Sequence, residues 1–93
     1  MAYTFDLKTD VKVYITYKDP TTGAYTEPDA LPKVTIADDE TTYVDGVEMV
    51  EEAVGKYYYW WETSSIERGI YNVSVEAEFS SHTVTESTTC ELV

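Results

Sequence analysis

Chemistry in this chain would have to come from very few side chains. The sequence holds one histidine, His82, and one cysteine, Cys90. A Ser-His-Asp arrangement needs three groups oriented across a fold, and no nucleophile elbow of the G-x-S-x-G kind is present. His82 stands in the polar stretch "SSHT", which reads as a solvated turn. Cys90 lies in a strand-like segment near the end of the chain, where a thiol packs as a small apolar side chain. A lone cysteine forms no intrachain disulfide. Carboxylates are abundant, and abundance alone does not pair two of them for acid–base work. The sequence therefore predicts no catalytic residue, no enzyme activity and no cofactor.

Metal binding has slightly more to stand on. Asp38, Asp39 and Glu40 in "ADDET" could converge with Asp45 and Glu48 of the next segment, and calcium takes several hard oxygen ligands from loops. No D-x-D-x-D-G loop is present, so solvated acids at a strand end are the expectation and these four aspartates and glutamates (Asp38, Asp39, Glu40, Asp45) are weak calcium candidates only. Asn72-Val73-Ser74 fits a glycosylation acceptor, but a regular strand in a chain without a secretory signal makes the match accidental.

Aromatic side chains are the conspicuous resource. Five in a row, Tyr57 to Trp61, occupy the middle of "GKYYYWWETS". On a half-buried strand, alternation hides one set of them and leaves the other in water. Large exposed aromatics are enriched where proteins meet partners.

Eighteen acidic residues against six basic ones give a formal charge of −12. Nucleic acid and anionic membrane both need Lys and Arg to neutralise phosphate, so neither is expected as a partner. The six cations, Lys8, Lys12, Lys18, Lys33, Lys56 and Arg68, read as scattered, with no stripe. Apolar runs are only a few residues long, too short to span a bilayer. The opening "MAYTFDLKTD" lacks the basic and apolar regions of a secretory signal, and Met1 running straight into patterned sequence reads as a complete protein made in the cytoplasm. Ninety-three residues predict one domain, 1–93, with one modest core.

The elements that must position these groups are strands. "DVKVYITYKD" alternates Val11, Val13, Ile15 and Tyr17 with Lys12, Tyr14 and Thr16. Pro20, Gly23, Pro28 and Pro32 then mark a turn and a loop. "KVTIADD" resumes the pattern, and Asp45-Gly46 between apolar flanks predicts a two-residue hairpin turn. "VEMVEEAVGK" has a faint helical rhythm too brief for a helix. "IYNVSVEAEFS" sets Tyr71, Val73, Val75, Ala77 and Phe79 against Asn72, Ser74, Glu76, Glu78 and Ser80. In "HTVTESTTCELV", Glu86 shares its parity with Val84, Cys90 and Leu92, which predicts a bulge or bend. Six to eight short strands with turns about every ten residues predict an antiparallel β-sandwich, with a small barrel as the rival.

The run "GKYYYWWETSSIERGIYNVSVEAEF" resembles a recurring hairpin of prokaryotic and viral immunoglobulin-like domains of the macroglobulin and carboxypeptidase-regulatory kinds. It carries Gly55-x-Tyr57-x-Tyr59-x-Trp61-x-Thr63, a short turn, and Gly69-x-Tyr71-x-Val73-x-Val75. "VKVYITYKDPTTG" and "KVTIADDETTYVDG" resemble the opening strands, so the likeness covers most of the chain. It implies an immunoglobulin-like sandwich of about seven strands. Tyr57, Tyr59 and Trp61 then fall on the family's core parity, with Val13, Ile15, Tyr71, Val73, Val75 and Phe79. Tyr58 and Trp60 face out, and Tyr14 joins them if its strand is a neighbour. Such domains occur in cell-surface proteins and as small free-standing proteins of tailed-phage and archaeal-virus particles. The second group is the nearer match in context. It implies a virion protein, a capsid decoration, head-fibre or tail-associated component, docking through Tyr58, Trp60 and Tyr14 on other subunits or on itself. The alternative is a surface-protein module that binds carbohydrate or protein.

Overall fold

The alternating segments form eight strands in the structure, a computed structural model that describes residues 2–5 and 10–93, with side chains described from Asp10 onward. They are β1 (Ala2–Phe5), β2 (Val11–Thr16), β3 (Lys33–Ala37), β4 (Thr42–Glu48), β5 (Val50–Ala53), β6 (Lys56–Trp61), β7 (Gly69–Phe79) and β8 (His82–Leu92). Two sheets result, β1-β8-β7-β3-β4 and β2-β6-β5. The two stay separate, which makes the molecule a sandwich and not a barrel. Seven strands pair antiparallel, and β1 joins the edge of β8 in parallel. A β2-β6-β5 sheet facing β8-β7-β3-β4 is the immunoglobulin strand order, B-E-D against G-F-C-C′.

Burial follows the alternation. Along β7, Tyr71, Val73, Val75 and Ala77 are buried, while Asn72, Glu76 and Glu78 face water. Trp61 stacks edge-on against Tyr71 (5.3 Å between centroids), and Tyr71 in turn meets Tyr43 (5.5 Å), closing one end of the core. Tyr17, Tyr57 and Phe79 close the other, with Tyr17 and Phe79 at 5.1 Å. Val13, Ile15, Tyr59 and Phe79 are only half-buried and pack against this core from its margin. The Tyr71 hydroxyl donates to the Glu67 carbonyl, a tyrosine corner at the start of the strand that enters the large sheet.

Three local expectations are corrected. Asp45-Gly46 makes no hairpin turn: β4 runs through it, and the register against β3 skips between Val34↔Val47 and Ile36↔Val44. Gly46 supplies the positive φ of a bulge (60°), and its N–H donates to Thr35 Oγ1. The turn itself is Asp38–Thr41, where Asp38 Oδ1 accepts from the N–H groups of Glu40 and Thr41. "VEMVEEAVGK" is extended: Met49, buried and bonded to the Pro32 carbonyl, carries the chain from one sheet to the other in one step. It then enters a β5–β6 hairpin turning at Val54-Gly55. Nor does β8 bulge at Glu86. Its ladder with β7 is unbroken from Gly69↔Leu92 to Phe79↔His82, and Glu86 sits opposite Val75 yet remains exposed. The small sheet does not cover that side, so an inward-parity acid meets water and no kink is needed.

Candidate interaction face

The aromatic face is assembled by register. β2 and β6 pair so that Tyr14 lies opposite Tyr58 and Lys12 opposite Trp60, all on the outer side of the small sheet. Val50 of β5 lies opposite Tyr58 and extends the patch. Trp60 is 54% exposed, Tyr14 46% and Val50 49%, whereas Tyr58 is half-buried. The structure thus brings together Tyr58, Trp60 and Tyr14, which lie 44 to 46 positions apart from β2 to β6 in the case of Tyr14 with Tyr58 and Trp60.

Lys12 is the hub. Its ammonium lies 5.0 Å from the Tyr58 ring centroid, 5.4 Å from Tyr14 and 5.8 Å from Trp60, within reach of each ring's negative face. Glu52 anchors the arrangement from β5: it stands 4.0 Å from the Lys12 ammonium and accepts the Tyr14 hydroxyl at 3.0 Å. Partial burial, the bond to Glu52 and its charge all raise the Tyr14 phenol above its ordinary range. At one end of the face, Tyr25 sits under Lys56 (4.6 Å) and Lys18 (5.0 Å). A bridge between Lys18 and Tyr25 and the Thr26 N–H on the Tyr17 carbonyl hold that loop in place.

Three of the six cations are therefore not scattered, while Lys8 lies outside the described residues. Folding gathers Lys12, Lys18 and Lys56 onto one aromatic surface of an otherwise acidic chain. The sequence showed Tyr58, Trp60 and Tyr14 but not Lys12, Glu52, Val50 or Tyr25 as their companions. Lys12 shares the outward parity of Tyr14, and only the β2–β6 register makes it central.

The other candidates do not converge. Asp38 is engaged in its turn and accepts the Tyr43 hydroxyl as well, and backbone bonds from Glu40 and Thr41 hold its carboxyl below the ordinary range. Asp39, Glu40 and Asp45 are exposed, and among the described residues no three metal-binding side chains form a cluster. His82 is no loop residue: it opens β8, exposed, opposite Phe79. Cys90 is buried, and burial pushes its thiol up, away from a reactive thiolate.

Two concavities flank the small sheet. A groove of about 680 Å³ opens between β2 and β8, with Val13, Ile15 and Tyr17 on one wall and Val73 and Val75 behind. A cleft of about 420 Å³ lies on the other side, between Tyr43 of β4 and Tyr59–Glu62, and Trp60 forms part of its rim. What this geometry offers is a contact surface: exposed rings, an ammonium and a carboxylate held in place by sheet register.

No protein-family model and no curated protein sequence matches the chain. Among solved structures, the chain is similar to part of an endo-beta-1,4-mannanase from Thermotoga petrophila, with a TM-score of 0.61 and 19% identity. The match covers 98% of this chain and 17% of that one. The chain thus spans about a sixth of the mannanase's length, and at this identity the likeness concerns the fold, a β-sandwich of the same build.

Proposed function

We infer that this chain is a non-enzymatic interaction domain that docks through the outer face of β2-β6-β5 onto a protein subunit of a larger assembly. The virion is the setting implied by the resemblance of its sequence. The observation carrying this reading is the convergence of Tyr14, Tyr58 and Trp60 around Lys12 on one sheet face. A Trp that leaves half its surface in water has area to lose on association, and such an anchor contributes about 2 kcal/mol or more. Lys12 and Glu52 add fixed charges that set orientation.

A second reading has its own support. One solved structure similar to this chain is an endo-beta-1,4-mannanase, of which the chain matches a small part. Aromatic rings on a sheet face also stack on pyranose rings, so the same surface would hold a β-linked glycan.

Photo-crosslinking separates the two. A benzoylphenylalanine placed at Tyr58 is expected to capture one defined protein, and Trp60→Ser in the same chain is expected to abolish the capture. Binding to a glycan array that is lost with Trp60→Ser would instead favour the second reading. Failure of both overturns the role of this face.

A further inference from the structure

The outer edge of β2 is a feature separate from its aromatic face. β2 is the first strand of the β2-β6-β5 sheet, and among the described residues nothing pairs with its other side. In an immunoglobulin sandwich of the A-B-E-D kind that side is taken by strand A. Here β1 instead joins β8. The Tyr17 N–H donates to the Gly55 carbonyl at 2.8 Å, which fixes the phase of the β2–β6 ladder. By alternation, the N–H and C=O groups of Lys12, Tyr14 and Thr16 point to the open edge.

Across the groove runs a second open edge. β1 covers β8 only at Thr89–Leu92, so His82 to Ser87 have no described strand beyond them. The groove between carries apolar walls from Val13, Ile15, Val73 and Val75. It also carries two polar groups, one buried without a partner and one that meets only water. The Tyr17 hydroxyl is buried and makes no hydrogen bond, which is costly for a polar group out of water. Glu86 stands on the inward parity, opposite Val75, where an apolar residue would suit the pattern.

We propose that this groove receives an extended strand from a protein partner, one that alternates apolar with polar residues and brings a lysine or arginine to Glu86. Its backbone adds to Lys12, Tyr14 and Thr16 as the outer strand of the small sheet. Its apolar side chains fill the space before Val13 and Ile15, and a backbone carbonyl or side-chain oxygen accepts from Tyr17. This is strand addition at a sheet edge, with main-chain bonds supplying affinity and alternate side chains supplying specificity. Charge selects the occupant: a second copy of a chain at −12 meets its own field, whereas a basic segment is drawn to Glu86 and to the acidic surface. Burial and the charge of Glu86 together hold the Tyr17 phenol at about 12, so Glu86 acts on the same groove that Tyr17 lines. The site uses the groove and the outer backbone edge of β2, whereas the docking face inferred above uses the outward side chains of that strand together with Trp60.

Amide hydrogen exchange on the full chain tests the proposal, with a ten-residue peptide of alternating valine and threonine carrying one central lysine as the probe. The amides of Lys12, Tyr14 and Thr16 should exchange rapidly in the free protein and slow when the peptide saturates it. A matched peptide with glutamate at the centre should bind about tenfold more weakly, the scale of one partly desolvated charge contact. Glu86→Gln should reduce that difference severalfold, leaving only the share due to the remaining acidic surface, and Trp60→Ser should leave peptide binding unchanged. Slow exchange of the three amides without peptide would mean the chain covers its own edge, and the proposal falls. Protection that grows with protein concentration would assign the groove to a second copy and likewise overturn the basic strand. So would an absence of slowing, or equal binding of the two peptides.

Discussion

At the scale of the residue, neighbours in sequence do opposite work. Trp61 is 3% exposed and stacks on Tyr71, whereas Trp60, one position earlier, is 54% exposed beside Lys12. Trp61→Ser should therefore destabilise the fold by about 3–5 kcal/mol, from lost burial and an unfilled cavity. Trp60→Ser should leave the melting temperature almost unchanged and weaken association with the docking partner. Thermal melts and a binding assay on both variants check this, and a Trp60 variant that unfolds while binding normally would place Trp60 in the core. This split was legible from the alternation of "YYYWW" together with the family resemblance that fixed which set is inward. The role of Tyr71 was legible only as parity. Its hydroxyl bond to the Glu67 carbonyl belongs to a corner that no spacing of apolar residues announces. Tyr71→Phe keeps the ring and removes that bond, so a loss of about 1 kcal/mol is expected in denaturant unfolding. An unchanged midpoint would show the corner bond to be dispensable.

At the scale of the element, the strands were readable and their joints were not. β7 and β2 follow period two because one face packs and the other is wet, a constraint local to each strand. Turns depend on which backbone can reach positive φ and on what partners arrive from elsewhere. Asp45-Gly46 carries a hairpin signature but serves a bulge, since Asp38 had already closed the β3–β4 turn. The β7–β8 turn shows the converse. Ser80 and Ser81 both take positive φ, 51° and 67°, with no glycine to announce it. What holds them is Asp29, whose carboxylate accepts both of their N–H groups across some fifty residues of sequence. Asp29→Ala should cost about 1–2 kcal/mol by stranding a strained turn. Gly55→Ala should cost more than about 1 kcal/mol. It imposes a side chain at φ 74°, and the new Cβ would meet the Tyr17 carbonyl at 2.8 Å. Denaturant midpoints for the two variants test both statements; a neutral Gly55→Ala would contradict the tight β2–β5 corner.

At the scale of the whole molecule, charge and aromatic content act together through pH. The sequence shows nine tyrosines and a charge of −12, and the fold sets many of those phenols among carboxylates or in the core. Tyr14, Tyr17, Tyr43, Tyr57 and Tyr71 are all raised above 10, each chiefly by loss of water. Tyr17 is the extreme, pushed up to about 12 by burial and by the charges of Glu86 and Tyr57. A phenol raised in the folded state stays neutral there while the unfolded chain ionises. Below pH 10 both states hold the proton and Tyr17 makes no demand on stability. As pH rises from 10 toward about 12, the unfolded state gains by releasing its proton first, and stability falls. Further negative charge on a chain already at −12 drives in the same direction. Chemical unfolding at a series of pH values should therefore show a plateau up to about pH 10 and a decline above it. In Tyr17→Phe the decline should be shallower, because the variant has one raised phenol fewer. It also removes the unbonded hydroxyl from the groove, so its stability below pH 10 should match or exceed that of the parent. The same slope above pH 10 in both proteins would show that Tyr17 ionises as freely folded as unfolded, and that water already reaches its hydroxyl.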